Sequence, residues 1–211
     1  MADRAVVFID GNNWYHSLRS SGVAAPGQLD YARISRKLLG PRSWVGTRYY
    51  VGQVRQQGDL TLYANQRRFL AALTAADARI TWHLGRLEHR HIPNPAAQEL
   101  LAYLTSLPVR IDREVYGALR SIAVRHARPE IIIEKAVDVL LAVDLVVMAE
   151  RDAYDTAYLL SADGDFTPAV MAVRSTGKRV HAVSLSGAAE LARAANTFIR
   201  LRPDWFTDCY R

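Results

Sequence analysis

The sequence predicts an α/β fold, with a mainly parallel central sheet flanked by helices in three layers. Three observations carry that expectation. The run Ala5 to Ile9 (AVVFI) is continuously apolar and bounded by charge, as a strand covered on both faces must be. Further short runs rich in β-branched and aromatic residues alternate along the chain with segments at helical spacing, the rhythm of strand, crossover helix and parallel strand. Finally, acidic residues stand just past two of the apolar runs, at Asp10 and at Asp163 and Asp165, where open parallel sheets bind their ligands.

Taken in order, a helix is expected after Asp10, from Asn13 toward Arg19, and a loop over GVAAPG. Asp30 can cap a helix over Tyr31 to Leu39, which Gly40-Pro41 stops. TRYYVGQV, Thr47 to Val54, is a second strand, and Leu62, Phe69, Leu70 and Leu73 mark a long helix from Leu60 to Ala78. RITWHLGRL, Arg79 to Leu87, alternates Ile80, Trp82 and Leu84 on one face and is a third strand. The region around 89–128 is less regular; it is expected as a helical insertion, with helices at Ala96 to Ser106 and Asp112 to His126. After it come a buried helix over EKAVDVLLAVDLVVMA, a strand AYLLS, a helix Phe166 to Ser175, a strand RVHAVS, a helix Ala188 to Ala194 and a short strand Phe198 to Leu201. No repeat interrupts the rhythm, so residues 1–211 are expected to form a single domain.

Composition narrows the function. The 211 residues are 50% hydrophobic and 23% charged, which is globular, and no stretch of eighteen apolar residues is present to cross a membrane. The run before Asp10 is too short for a signal peptide, so the expected location is cytoplasmic. Cys209, the single cysteine, excludes a disulfide framework and a Cys-rich zinc site, and is expected to be a bystander. A net charge of +6 favours an anionic partner such as nucleic acid, although nearly all of it is arginine and a GC-rich coding genome gives the same skew. The chain carries no GxxxxGK[ST], GxGxxG or GxSxG pattern, leaving P-loop, dinucleotide and serine-esterase chemistry without support.

The acids offer more. Asp10 and the pair Asp163 and Asp165 are expected on one rim, and on the helix EKAVDVLLAVD Glu134 and Lys135 share a face with Asp138, four and three residues further on. Asp138 interrupts an apolar stretch, where a charge needs a partner. Converging carboxylates repel one another, and a hard divalent cation, Mg²⁺ or Mn²⁺, relieves the repulsion while activating water against a phosphodiester. Each acid also has a plainer reading: Asp10 as a helix cap, Asp163 or Asp165 as a turn residue, Asp138 as an ion-pair partner. Asp144 lies about 120° round the helix from Asp138, so it is an outer group at most.

Three stretches resemble the motifs of NYN domains of the LabA/DUF88 type, within the PIN-like nuclease superfamily: FIDGNN at 8–13, EKAVDV with LAVD at 134–144, and SADGDF at 161–166. The resemblance implies a PIN-like, Rossmann-like fold and a metal-dependent ribonuclease. It makes Asp10, Asp138, Asp163 and Asp165 the catalytic and metal-binding acids for Mg²⁺ or Mn²⁺. Asn13 would orient a ligand or brace the Asp10 loop, with Ser161 and Asp144 supporting. Lys135 would neutralise transition-state charge or pair with a neighbouring acid. Ala136 and Ala162 stand where the family more often has glycine. The implied partner is RNA, single-stranded, with no membrane; a homo-oligomer is left open.

Two rivals remain open: a non-catalytic RNA-binding or regulatory module retaining the acidic pocket, and a phosphatase on a small ester. His83, His89 and His91 with Glu88 read as a solvated loop rather than a transition-metal site, for want of a fourth ligand at suitable spacing. Arginines on the long helix and beyond, with Tyr49, Tyr50, Trp82 or Tyr103, are available for phosphate contact and base stacking.

Overall fold

The computed structural model describes residues 3–54, 59–91, 93–106, 112–127 and 130–211, the side chains at 87–91 and 130–135 excepted. In chain order the elements are β1 (Arg4–Asp10), α1 (Gly11–Ser20), α2 (Tyr31–Leu39), β2 (Ser43–Gln53), α3 (Leu60–Ala76), β3 (Ile80–His91), α4 (Pro95–Ser106) and α5 (Arg113–Ala127). They continue with β4 (Glu130–Lys135), α6 (Val137–Glu150), β5 (Thr156–Leu160), α7 (Thr167–Ser175), β6 (Arg179–Ser184), α8 (Ala189–Ala194) and β7 (Thr197–Arg200). By contacts the chain falls into two compact units, Met1–Arg86 with Lys135–Arg211, and Leu87–Glu134.

In the first unit six strands run parallel in the order β3-β2-β1-β5-β6-β7. The second unit takes in the end of β3, α4, α5 and most of β4, with β4 next to β3 in the sheet order.

The apolar run at the start becomes the central strand because it has a core on each side. Ala5, Val7 and Ile9 pack with Trp14 and Leu18 of α1, Ile34 and Leu39 of α2, and Leu70 and Leu73 of α3. Val6 and Phe8 face the other way, onto Val137, Leu141 and Leu145 of α6 and Val170 and Val173 of α7. A strand with two apolar faces cannot show the alternation of a half-exposed one. From β1 the chain proceeds to β2 and β3 on one side, then returns to β5 on the other. The direction of winding therefore reverses between β1 and β5, and the crevice outside their carboxyl ends is the place such a sheet leaves for a ligand.

Three expectations are corrected. Glu134 and Lys135 lie in strand β4 rather than on the helix with Asp138. Ala136 breaks the backbone with φ 71°, and α6 starts only at Val137, so the shared helical face does not exist. That helix is not buried all round: Val137, Leu141, Leu145 and Ala149 form one inward stripe, while Val139 and Val143 are 64% and 52% exposed. His89 and His91 belong to β3 rather than a loop. Cys209 is fully buried in the core with residues of α1 and α2, where burial pushes its thiol up to about 11.

Candidate active site

Asp10 closes β1 and caps α1. One carboxylate oxygen accepts the Asn13 backbone N–H at 3.3 Å, and the other accepts the Ser161 hydroxyl at 3.0 Å. Only 4% of Asp10 is exposed. Its cap is therefore a tie across the sheet as well, since Ser161 is the first residue after β5. The neighbouring Gly11 is required by close approach: a Cβ there would run into the Tyr49 ring and the Tyr50 carbonyl oxygen.

From Ser161 the polar chain continues. Its Oγ accepts the Asp163 backbone N–H at 3.0 Å, and an Asp163 carboxylate oxygen accepts the Asp165 N–H at 2.9 Å, capping the short turn Gly164–Phe166. Asn13 supplies the second brace, its side-chain oxygen accepting the Ala162 N–H at 3.0 Å. The loops after β1 and β5 are thus fixed to each other by Asp10–Ser161 and Asn13–Ala162, on either side of the switch point.

Asp138, exposed in the first turn of α6, completes the group electrically. Its carboxyl is held above the usual range by partial burial first, then by the negative charges of Asp163 and Asp165. Asp138, Asp163 and Asp165 share one local field, while Asp10 connects to them through Ser161. Among the described residues, no three acidic, histidine or cysteine side chains converge into a ready-made metal cage.

Asp144 lies elsewhere. It accepts from Arg48 at 2.8 Å and from the Tyr50 hydroxyl at 2.7 Å. Tyr50 stacks on His83 with ring centroids 4.8 Å apart, and burial, then Arg48, hold His83 below its ordinary value. Tyr50 is the register partner of both Asp10 and His83, so this neutralised cluster lies beside the acids on the α6 face of the sheet. Lys135 falls in β4, and its side chain is outside the described residues.

The family model described as NYN domain matches residues 4–202. The chain belongs to the NYN domain family. NYN domains are PIN-like nuclease domains, and the three stretches that resemble their motifs lie at the β1–α1 junction, the β4–α6 junction and the exit of β5. A crystal structure of a Vibrio parahaemolyticus protein of unknown function is similar in fold, with a TM-score of 0.57 and 16% identity, covering 96% of this chain and 95% of that one. No curated protein matches. No helix among the described residues is long and apolar enough to cross a membrane.

Sequence reasoning missed two groups at this NYN site. The Glu190 carboxyl group of α8 occupies the space that a Cβ at Gly164 would enter, bringing a further acid to the Asp163–Asp165 loop. Nothing in the local sequence of Glu190 marks it, because the approach is made by a separate helix. The Arg48–Tyr50–His83 cluster was equally hidden: Tyr50 is fully buried and Tyr49 is 3% exposed, so neither is open to a base.

Proposed function

We propose that this NYN domain is a metal-dependent ribonuclease that hydrolyses single-stranded RNA at the crevice between β1 and β5. The observation that carries the reading is the gathering of acids at the switch point: Ser161 ties the Asp163 loop to Asp10, and burial, then the charges of Asp163 and Asp165, hold the Asp138 carboxyl above the usual range. A carboxyl whose ionisation is made costly by burial and by neighbouring acids at a ligand crevice suits a divalent cation.

Asp138, Asp163, Asp165 and Asp10 are the residues that would hold Mg²⁺ or Mn²⁺, which supplies water activation and neutralises developing phosphate charge. A small hard cation keeps several of its waters and needs only one or two direct carboxylates, so a loose acidic group fits it without a closed cage. Asn13 and Ser161 hold the two loops in place. The Asp144–Arg48–Tyr50 cluster carries no spare negative charge for an ion, and its part is to support α6 against β2.

The test is incubation with labelled single-stranded RNA and Mn²⁺, with EDTA and Asp163→Asn as controls. Asparagine keeps an oxygen for the Asp165 N–H but removes the charge. We expect cleavage by wild type, none in EDTA, and a loss of at least ~100-fold in the variant, the scale on which removing one electrostatic group acts. Absence of cleavage by pure wild-type protein would sink the proposal. Binding without cleavage would favour the second reading, an RNA-binding module. That reading draws on the engagement of Asp10 by Ser161 and Asn13.

A further inference from the structure

We infer that the solvent face of α1 is a track for single-stranded RNA leading away from the acidic crevice, with Tyr15 stacking an unpaired base and Arg19 taking a phosphate. The inference rests on the ribonuclease reading for its ligand. An acidic crevice repels the phosphates of its own substrate, so affinity for RNA must come from cations and stacking surfaces alongside it.

Helix α1 starts at the crevice, because Asp10 is its N-cap. Gly11, Trp14 and Leu18 form its buried stripe, which leaves Asn12, Tyr15, His16 and Arg19 at i, i+3, i+4 and i+7 on one exposed face. Tyr15 is 40% exposed and contributes nothing to the two core clusters. The Arg19 guanidinium lies 5.9 Å from the centre of its ring and the His16 ring meets it edge-on at 6.0 Å, and its exposure leaves ring surface for a base. Among the described residues Arg19 makes no salt bridge, so its charge is available.

With a rise of about 1.5 Å per residue, Tyr15 lies ~7 Å and Arg19 ~13 Å along the axis from Asp10, a reach that a short stretch of single strand covers. The face is narrow and polar around its one aromatic ring, which suits a nucleotide chain better than an apolar protein surface. Other aromatics named for stacking are less suitable: Tyr49 and Tyr50 are buried, and Trp82 packs against the core.

The experiment measures anisotropy of a short fluorescein-labelled single-stranded RNA in EDTA, where no cutting occurs, using the full chain and its Tyr15→Ala, Tyr15→Phe and Arg19→Ala variants. Tyr103→Ala, at another exposed tyrosine, serves as the surface control. We expect Tyr15→Ala to weaken binding roughly tenfold and Tyr15→Phe to retain it, since stacking needs the ring and not the hydroxyl. Arg19→Ala should weaken binding and reduce the salt dependence by about one phosphate's share. Duplex RNA of the same sequence should compete poorly. Wild-type affinity in both alanine variants, failure of wild type to bind the single strand, or equal competition by duplex would each overturn the track. A protein-docking role for this face would appear as the first of these.

Cleavage by the same preparations with Mn²⁺ is scored separately. Binding that depends on Tyr15 without any cleavage keeps the track and removes the nuclease. Cleavage that ignores both variants does the reverse.

Discussion

Gly11 shows how narrowly the site is specified at the level of one residue. It lies between a carboxylate cap and two tyrosines, and its own carbonyl accepts from the Tyr49 hydroxyl at 3.3 Å. Gly11→Ala should lower stability by about 1–3 kcal/mol, the usual cost of forcing atoms into packed space, read as a fall in the urea midpoint at unchanged slope. The positions of Asp10, Asp163 and Asp165 were legible because a strand's end is visible where its apolar run stops. Their connections were not. Ser161 reaches Asp10 across 151 residues of sequence, and Asp144 finds Arg48 and Tyr50 more than 90 residues away, so no local window contains either pair.

At the scale of elements, the β4–α6 junction is where the reading of the sequence failed. EIIIEKAVDVLLAVD carries its apolar residues in short runs, with no glycine or proline to mark a stop, and a short apolar run is consistent with strand or helix. What divides it is Ala136 at φ 71°, a left-handed conformation that costs an alanine about 1–2 kcal/mol. Ala136→Gly should therefore raise stability by up to about 1 kcal/mol, after the extra chain entropy of glycine is subtracted, measurable as a higher urea midpoint. Loss of stability instead would mean that the alanine methyl group packs more usefully than its backbone suffers. Elements bounded by Asp caps or Gly-Pro were far easier: α2 runs from Tyr31 to Leu39, as Asp30 and Gly40-Pro41 indicate.

The whole molecule is organised by charge as well as by its sheet. At the end of the sheet remote from the acids, Asp3 accepts from Arg42 at 2.8 Å and from Arg179 at 2.7 Å, while Arg4 engages Asp155 at 2.9 Å, so the start of β1 is pinned to both halves of the sheet. Between layers, Asp77 receives Arg79 at 2.8 Å and Arg36 of α2 at 2.7 Å. The hydrogen bonds from Arg79 hold the Asp77 carboxyl far below the usual carboxylate range. A depressed carboxylate contributes stability that is fully present above its unfolded value, roughly pH 4, and is lost as pH falls below it. Thermal melts should accordingly show a steady fall in Tm below about pH 4, and Asp77→Asn should melt lower at pH 7 with a shallower acid decline. An unchanged acid slope in the variant would move the effect to the other paired aspartates.

The double attachment of Asp10 bears on how this protein would behave in a cell. A carboxylate that ends the central strand, starts the first helix and holds the loop beyond β5 leaves the Ser161 hydroxyl and the Asn13 backbone N–H without this acceptor when it is lost. Buried donors left unmatched shift a chain toward its unfolded population, where proteases remove it. A strain carrying alanine at this codon would lack the protein rather than only its chemistry, and its phenotype would imitate a deletion. Under the proposed nuclease reading, the chemistry is better tested at the less buried Asp163 and Asp165 than at Asp10.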